Sequence, residues 1–290
     1  MKIELDCFSC IFRQVLEAGR MSTDDEKLIR DILNHYANMI PEIKENDTAP
    51  GVVADIQKII KEKTNKKDPY KDFKEKHIKW ALKLYSDVKE IIESSDETLQ
   101  AALIMSAMGN SIDAGVSLDV DIDSSIKNAV NRGFSYSDFN IFNEQLKKSK
   151  SLLIIADNAG EAVFDKLMIE EFNKYYNLDI IYAVRGEPIL NDVTMKEAKK
   201  IGINNVCKLI SSGCDTPGMI LDRVNDNFEN LFKNSDVIIS KGQGNYEGLS
   251  EVKRPVFFLL KAKCDLIANK LGSGIKKGDL VFMLNNVKQC

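Results

Sequence analysis

The sequence predicts an α/β protein: a helical N-terminal domain, about residues 1–148, packed on an α/β domain, about 149–290, built on an open parallel sheet. Three observations predict it. Apolar residues in the first half recur at three- and four-residue spacing, the period of an amphipathic helix. From Ser151 the texture changes to short β-rich runs alternating with helical patterns, as βαβ units do. Each apolar run then ends in polar residues, and open parallel sheets bind ligands beyond the carboxyl ends of their strands.

Taken in order, Phe12–Arg20, Asp24–Met39, Pro50–Lys61, Pro69–Ile92 and Glu97–Met108 carry the helical period. In the fourth, Ile78, Leu82, Tyr85, Val88 and Ile92 form a stripe suited to a core. Polar breaks such as Thr64–Pro69 and Ser94–Asp96 separate the helices and supply caps. Residues 124–150 are polar and predict short bridging helices. The expected strands are Leu152–Ala156, Ile180–Val184, Val206–Ile210, Val237–Ile239, Val256–Leu260 and Leu280–Leu284. After Asp157 a helix is expected with Phe164, Leu167, Met168, Phe172 and Tyr175 on one face, and further helices over Met195–Ile201 and Met219–Phe232.

Composition narrows the function. Forty basic residues against forty-four acidic ones give a net charge of −4, against the basic face that nucleic-acid binders usually show. No apolar stretch approaches the roughly 18 residues that span a bilayer. The start, Met1-Lys2-Ile3-Glu4-Leu5-Asp6-Cys7, lacks the pattern of a secretory signal, so a cytoplasmic protein is expected. In a reducing cytosol the six cysteines are thiols or metal ligands rather than disulfides. Both histidines, His35 and His77, fall in the first half, which argues against a histidine-based zinc site or triad among the strand ends.

The strand ends carry the candidate chemistry. Asp157-Asn158-Ala159-Gly160-Glu161 follows one strand and opens a helix: Asp157 and Asn158 offer hard oxygen ligands suited to Mg²⁺ or Mn²⁺. The helix N-terminus favours an anion such as phosphate. The alternative is a turn that merely caps the helix. At the next strand end Asp192 can supply a second carboxylate, or Asn191 and Asp192 can cap a helix beginning near Thr194. Arg185 can grip phosphate or pair with a surface acid. In Ser240-Lys241-Gly242-Gln243-Gly244-Asn245, glycines allow close approach while Lys241 and Asn245 supply donors, yet the run is neither a Walker A loop nor a dinucleotide fingerprint. Lys261 ends an apolar strand, where a cation needs an anion or water. Ser211–Gly218 can line the crevice too, although a turn with an N-cap at Thr216 and Pro217 at the first helical position explains most of it. Asn110 and Asp113 face the cleft or cap a helix. Cys7-Phe8-Ser9-Cys10 lacks a second C-x-x-C, leaving packed thiols, an auxiliary metal site or redox chemistry open.

Together, Asp157-Asn158-Ala159-Gly160-Glu161, Arg185-Gly186-x-Pro188-x-Leu190-Asn191-Asp192-Val193-Thr194 and Gly242-Gln243-Gly244-Asn245-Tyr246-Glu247 resemble the metal-dependent damage-control phosphatase family, formerly domain of unknown function eighty-nine. Cys7-x-x-Cys10 and Gly109-Asn110-x-Ile112-Asp113 resemble its prokaryotic-type branch, so the resemblance spans nearly the whole chain. It implies a Rossmann-like α/β domain beside a helical one, and hydrolysis of small phosphate esters with a divalent cation. Mg²⁺ or Mn²⁺ is expected first, Co²⁺ or Ni²⁺ next. By motif, Asp157, Asn158 and Asp192 would hold the metal. Glu161, Asn245 and Lys261 would meet substrate or phosphate, with Arg185, Lys241 and Gly242 beside them. The eukaryotic carboxyl-methyltransferase-like branch has Asp-Leu-Asn-Tyr-Arg where this chain has Gln243–Glu247, and Arg-Thr-x-Lys where it has Phe258–Lys261, so substrates of that branch do not transfer.

The expected reaction is water attack on a phosphomonoester, with Asp157, Asp192 and Lys261 as catalytic groups. An aspartyl-phosphate route through Asp157 is disfavoured, because Ala159 replaces the usual partner acid two residues on. A non-catalytic metabolite- or nucleotide-binding module would use the same crevice, and a helical interaction protein would need none of these residues. The expected partner is a small phosphorylated metabolite, with neither nucleic acid nor membrane.

Overall fold

A computed structural model describes residues 1–109, 130 and 132–285. The sequence candidates Asn110, Ile112 and Asp113, together with Asn286 and Cys290, lie outside the described residues. The helices are α1 (Leu5–Ser22), α2 (Glu26–Met39), α3 (Ala49–Thr64), α4 (Lys71–Lys83), α5 (Tyr85–Glu93), α6 (Thr98–Met108), α7 (Phe139–Leu146), α8 (Ala162–Tyr175), α9 (Met195–Ile201), α10 (Asp226–Asn234), α11 (Gln243–Leu249) and α12 (Asp265–Leu271). The strands are β1 (Tyr136–Ser137), β2 (Ser151–Ile155), β3 (Asp179–Val184), β4 (Lys208–Ser211), β5 (Val237–Lys241), β6 (Phe257–Lys261) and β7 (Leu280–Leu284).

The mixed α/β architecture and the helical N-terminal region agree with the sequence; several details do not. The sheet runs β1-β7-β6-β5-β2-β3-β4. It is parallel except where β7 lies antiparallel to β6, so it is mixed rather than wholly parallel. The connection from β6 to β7 carries α12, after which β7 returns antiparallel beside β6. The stripe over Pro69–Ile92 forms two helices, broken at Leu84. The helix expected from Met219 begins only at Asp226, where Asn225 accepts the Phe228 N–H at 2.9 Å. Thr216 caps no helix, since a short 3₁₀ turn over Leu221–Arg223 fills that stretch.

Strand side chains alternate between two buried faces, as a covered sheet requires. Leu152, Ile154, Tyr182, Ile239 and Phe257 face one core, shared with Ile78 and Ala81 of α4 and Leu103 of α6. Leu153, Ile155, Ala183, Ile238 and Phe258 face the other, covered by Phe228 and Phe232 of α10, Leu249 of α11 and Ile267 of α12. Helices α1–α3 form a third apolar cluster around Ile32, Tyr36 and Ile56. Thus α6 packs on β6, β7 and α8, α4 and α5 pack on α8, and α1–α3 meet the sheet's far end through α3 against α11.

That end is where the chemistry lies. The chain runs outward from β2 to β3 and β4, then returns to place β5 on the other side of β2. A crevice opens where the strand order reverses. Ile155 pairs with Ala183 and Ser240, so the register brings Asp157, Arg185 and Gly242 to one level beyond the strands.

Candidate active site

Asp157 and Asn158 leave β2 and meet the loop beyond β3 through a short ladder. Val193 N–H donates to Asp157 O at 2.9 Å, Ala159 N–H to Asn191 O at 2.9 Å, and Asn158 and Asp192 form an antiparallel bridge. Leu190, at φ +43°, turns the loop into that position. The capping alternatives fail here. Helix α8 has no side-chain cap bond, and α9 is started by Thr194, whose N–H donates to Glu197 Oε2 at 3.0 Å. Asp157, Asn158 and Asp192 are therefore free of helix-capping duty, and all three line one cavity of about 420 Å³.

Their surroundings are fixed and dry. Asp157, Asn158 and Asp192 are each at most 5% exposed. Asn158 Nδ2 donates to Asp157 Oδ2 at 2.6 Å and approaches Glu161 Oε2 at 3.4 Å. Arg185 Nε donates to Asp192 Oδ2 at 2.7 Å and Nη2 to Asn245 Oδ1 at 2.8 Å, while Nη1 has no hydrogen-bond partner among the described residues. Gly242, at φ +80°, is required: a Cβ there would stand 2.1 Å from Asp157 Oδ2. The close approach the glycine permits is to the aspartate carboxylate. Gly244 does the same for packing, since its Cβ would meet Pro217 O at 2.1 Å.

Asn245 and Lys241 spend their polar atoms on protein. Asn245 Nδ2 donates to Ala156 O at 3.0 Å and to Lys241 O at 2.7 Å. Its Oδ1 accepts from Arg185 Nη2 and from Met219 N–H, both at 2.8 Å. Two donors and two lone pairs are the whole capacity of an amide, so none is left for a ligand. Lys241, fully buried, reaches Glu161, Asp165 Oδ1 at 2.6 Å and Ser106 O at 3.2 Å. Asp165 is held further by Ser106 Oγ at 2.5 Å and Tyr182 OH at 2.6 Å. Asn245 and Lys241 thus tie strand ends together, with their hydrogen-bonding capacity taken up by protein partners.

Lys261 is placed differently, on a cavity wall. With Lys263 and Lys277 it lines a second cavity, of about 550 Å³, which shares Asp157, Gln243 and Lys263 with the first and also includes Glu161. Two features lay hidden in the sequence. His77, distant along the chain, lies on α4 beside the site, its Cβ 3.1 Å from where a Gly160 Cβ would be. Cys7 and Cys10, on α1 itself rather than before it, join Cys264 in the wall of the first cavity. No local signal announces either approach; both depend on how helices dock.

Burial sets the electrostatics. It pushes Asp157 up, against the lowering pull of Lys263 and Arg185. It raises Asp192 to about 7 despite Arg185, with Asp157 adding to the rise. Glu161 is pushed to about 8 by burial, against Lys241. Burial depresses Lys241, but Asp165 and Glu161 outweigh it and the net shift is upward. Burial also lowers Lys261, and Lys263 adds to that. Among the described residues no three His, Cys, Asp or Glu side chains converge as a ready ligand set. The donor chemistry of Asp157, Asn158 and Asp192 nonetheless fits a hard divalent cation. Two buried carboxylates disfavoured as anions, beside an amide and open to one cavity, form a pattern that such a charge relieves.

The damage-control phosphatase ARMT1-like domain model matches residues 3–279. The chain belongs to that family. It is 34% identical over 293 residues to an uncharacterised protein of Methanocaldococcus jannaschii, covering 98% of this chain and 95% of that one. It is 30% identical to a damage-control phosphatase of Pyrococcus horikoshii, covering 99% of this chain and 100% of the relative. A further damage-control phosphatase, from Archaeoglobus fulgidus, is 30% identical over 97% of this chain and 98% of its own. The crystal structure of a DUF89 family protein from Pyrococcus horikoshii superposes with a TM-score of 0.91 at 30% identity, covering 99% of this chain and 100% of that one. Family membership therefore places the chain among phosphatases, on a fold shared with a solved member. No helix among the described residues is long and apolar enough to cross a membrane.

Proposed function

We propose that the protein is a divalent-metal-dependent phosphatase that hydrolyses small phosphate esters by attack of water. The observation that carries this reading is convergence: Asp157, Asn158 and Asp192 share a cavity wall at the strand-order reversal, and Lys261 and Lys263 stand beside them. Asp157, Asn158 and Asp192 would hold the cation, Mg²⁺ or Mn²⁺ by their hard oxygen donors, with Co²⁺ or Ni²⁺ as alternatives. When bound, it supplies charge that polarises a phosphoryl oxygen and favours deprotonation of water.

The chain's own residues do the rest. Lys261, half-buried and in no ion pair among the described residues, offsets negative charge on the phosphoryl oxygens. Arg185 orients Asp192 through Nε. Glu161, between Asn158 and Lys241, gives the second cavity a carboxyl that can exchange a hydrogen bond with substrate or water. Asp157 and Asp192 are the groups placed to accept the water proton. Positioning and electrostatics of this kind carry most of phosphoryl transfer.

The test is phosphate release from a panel of phosphate esters by purified protein, with each of the four cations or with chelator. The reading expects release that chelator and Asp192→Ala abolish, together with cation binding by the wild type in calorimetry. Release that persists undiminished in chelator would overturn it. Ester binding by metal-loaded protein with no turnover of any ester would leave the binding-module reading in its place.

A further inference from the structure

The two cavities that meet at Asp157 differ in their other charges: beside Asp157 and Glu161 one carries three lysines, while the other carries further carboxylates with Lys263 alone against them. On one side, Lys261, Lys263 and Lys277 line the wall. Backbone bonds bring them together: Ala262 N–H donates to Asp279 O at 2.9 Å, and Gly278 N–H to Ala262 O at 2.7 Å, extending the β6–β7 ladder past Lys261. None of the three ammonium groups is in a hydrogen bond or ion pair among the described residues. The neighbouring acid, Asp279, is occupied by the Lys276 N–H at 2.8 Å. On the other side, beyond the candidate metal ligands, the wall carries Asp6, Glu247 and Asp265, with Gln14 and Gln243 as its amides. Asp6 and Asp265 are exposed, and among the described residues their carboxylates are in no ion pair. Lys263 stands on the boundary and faces both.

We infer that this division orients the substrate and sets its class: the phosphoryl group lies toward Lys261, Lys263 and Lys277, and the alcohol it esterifies lies toward Asp6, Glu247 and Asp265. The inference rests on the phosphatase reading above and deepens it. Carboxylates on the alcohol side accept hydrogen bonds from hydroxyls and attract an ammonium, while a second anionic group there meets like charge in a confined space. The favoured substrates are phosphate monoesters whose alcohol is neutral or bears an amine. Esters with a carboxylate or second phosphate at the far end are excluded, a rejection built from unpaired like charges. Lys263 and Lys277 are substrate-binding residues, and Asp6 and Asp265 determine specificity.

Three six-carbon esters with phosphate on the same carbon test it: glucose 6-phosphate, glucosamine 6-phosphate and 6-phosphogluconate. Both calorimetric affinity and kcat/KM are measured on full-length, metal-loaded protein. The neutral and amino esters are expected to exceed 6-phosphogluconate by about tenfold or more in both. Asp6→Asn with Asp265→Asn narrows that ratio. Lys263→Gln with Lys277→Gln weakens all three esters together and leaves the ratio in place. Circular dichroism confirms that each variant is folded. Equal handling of the three esters, preference for 6-phosphogluconate, no binding of any, or a ratio unmoved by the Asp6/Asp265 change would each overturn the inference. Discrimination in binding without turnover would uphold it while the phosphatase reading fails.

Discussion

Arg185 and Asp192 form a buried pair, 1% and 3% exposed, in which each partner's charge depends on the other. Removing one end leaves an uncompensated charge in the interior, which costs about 3–5 kcal/mol. Asp192→Ala is thus expected to lower unfolding free energy by about that much while abolishing cation binding, both readable from urea titrations with and without metal. Asn245→Ala leaves four polar groups of the surrounding knot without a partner. Because Asn245 fixes Arg185, which fixes Asp192, cation affinity measured by calorimetry should fall by about 10–100-fold. Undiminished affinity in a folded variant would show that the amide holds strands and nothing more. The acids also give the metal-free protein a pH dependence. Asp192 at about 7 and Glu161 at about 8 lie above their unfolded values. Their contribution is complete below the unfolded carboxylate range and is lost as pH rises through 7 and 8. In chelator, Tm should therefore fall between pH 6 and pH 8.5, and the increment restored by metal should grow over the same range. A Tm in chelator that climbs with pH would contradict this.

At the scale of elements, the segment from Arg185 to α9 divides its labour between neighbours. Thr194 and Glu197 form the capping box that starts α9, and Lys74 of α4 reaches Glu197 at 3.0 Å. Asp192, two residues before Thr194, is thereby left for the cavity. Thr194→Ala should cost about 1 kcal/mol of stability while leaving cation affinity near wild type, whereas a loss of affinity would show that the cap also places the ligand loop. The chain shows both roles in its local pattern, an aspartate ahead of a Thr-x-x-Glu capping box. What it does not show is the choice between them, which comes from the bridge between Asn158 and Asp192. Helix α11 illustrates another limit. Its glycines read as a loop by propensity, yet Gly244 permits a contact with the 217–219 segment that only close helix docking creates.

Across the molecule, α4–α6 and the sheet share one apolar core, so the first hundred residues are part of what covers the β-strands. Trp80, the single tryptophan, packs against that core from α4. Unfolding followed by its fluorescence should coincide with unfolding followed by far-ultraviolet circular dichroism, as a cooperative transition requires. An earlier fluorescence transition would show that α4 detaches from a sheet that stays folded. The sequence by itself determined the strands other than β1, most of the helices and the polar residues at the strand ends, including Asp157, Asn158, Asp192 and Lys261. These follow from period and local chemistry, which a chain carries wherever it goes. Only the tertiary structure decided that β7 runs antiparallel, that Asn245 and Lys241 are consumed by protein partners, and that His77, Cys7 and Cys10 approach from the helices. It alone set lysines and acids on opposite sides of Asp157. Those outcomes depend on which distant segments meet, and hydrogen-bond capacity and charge balance are settled only once they do.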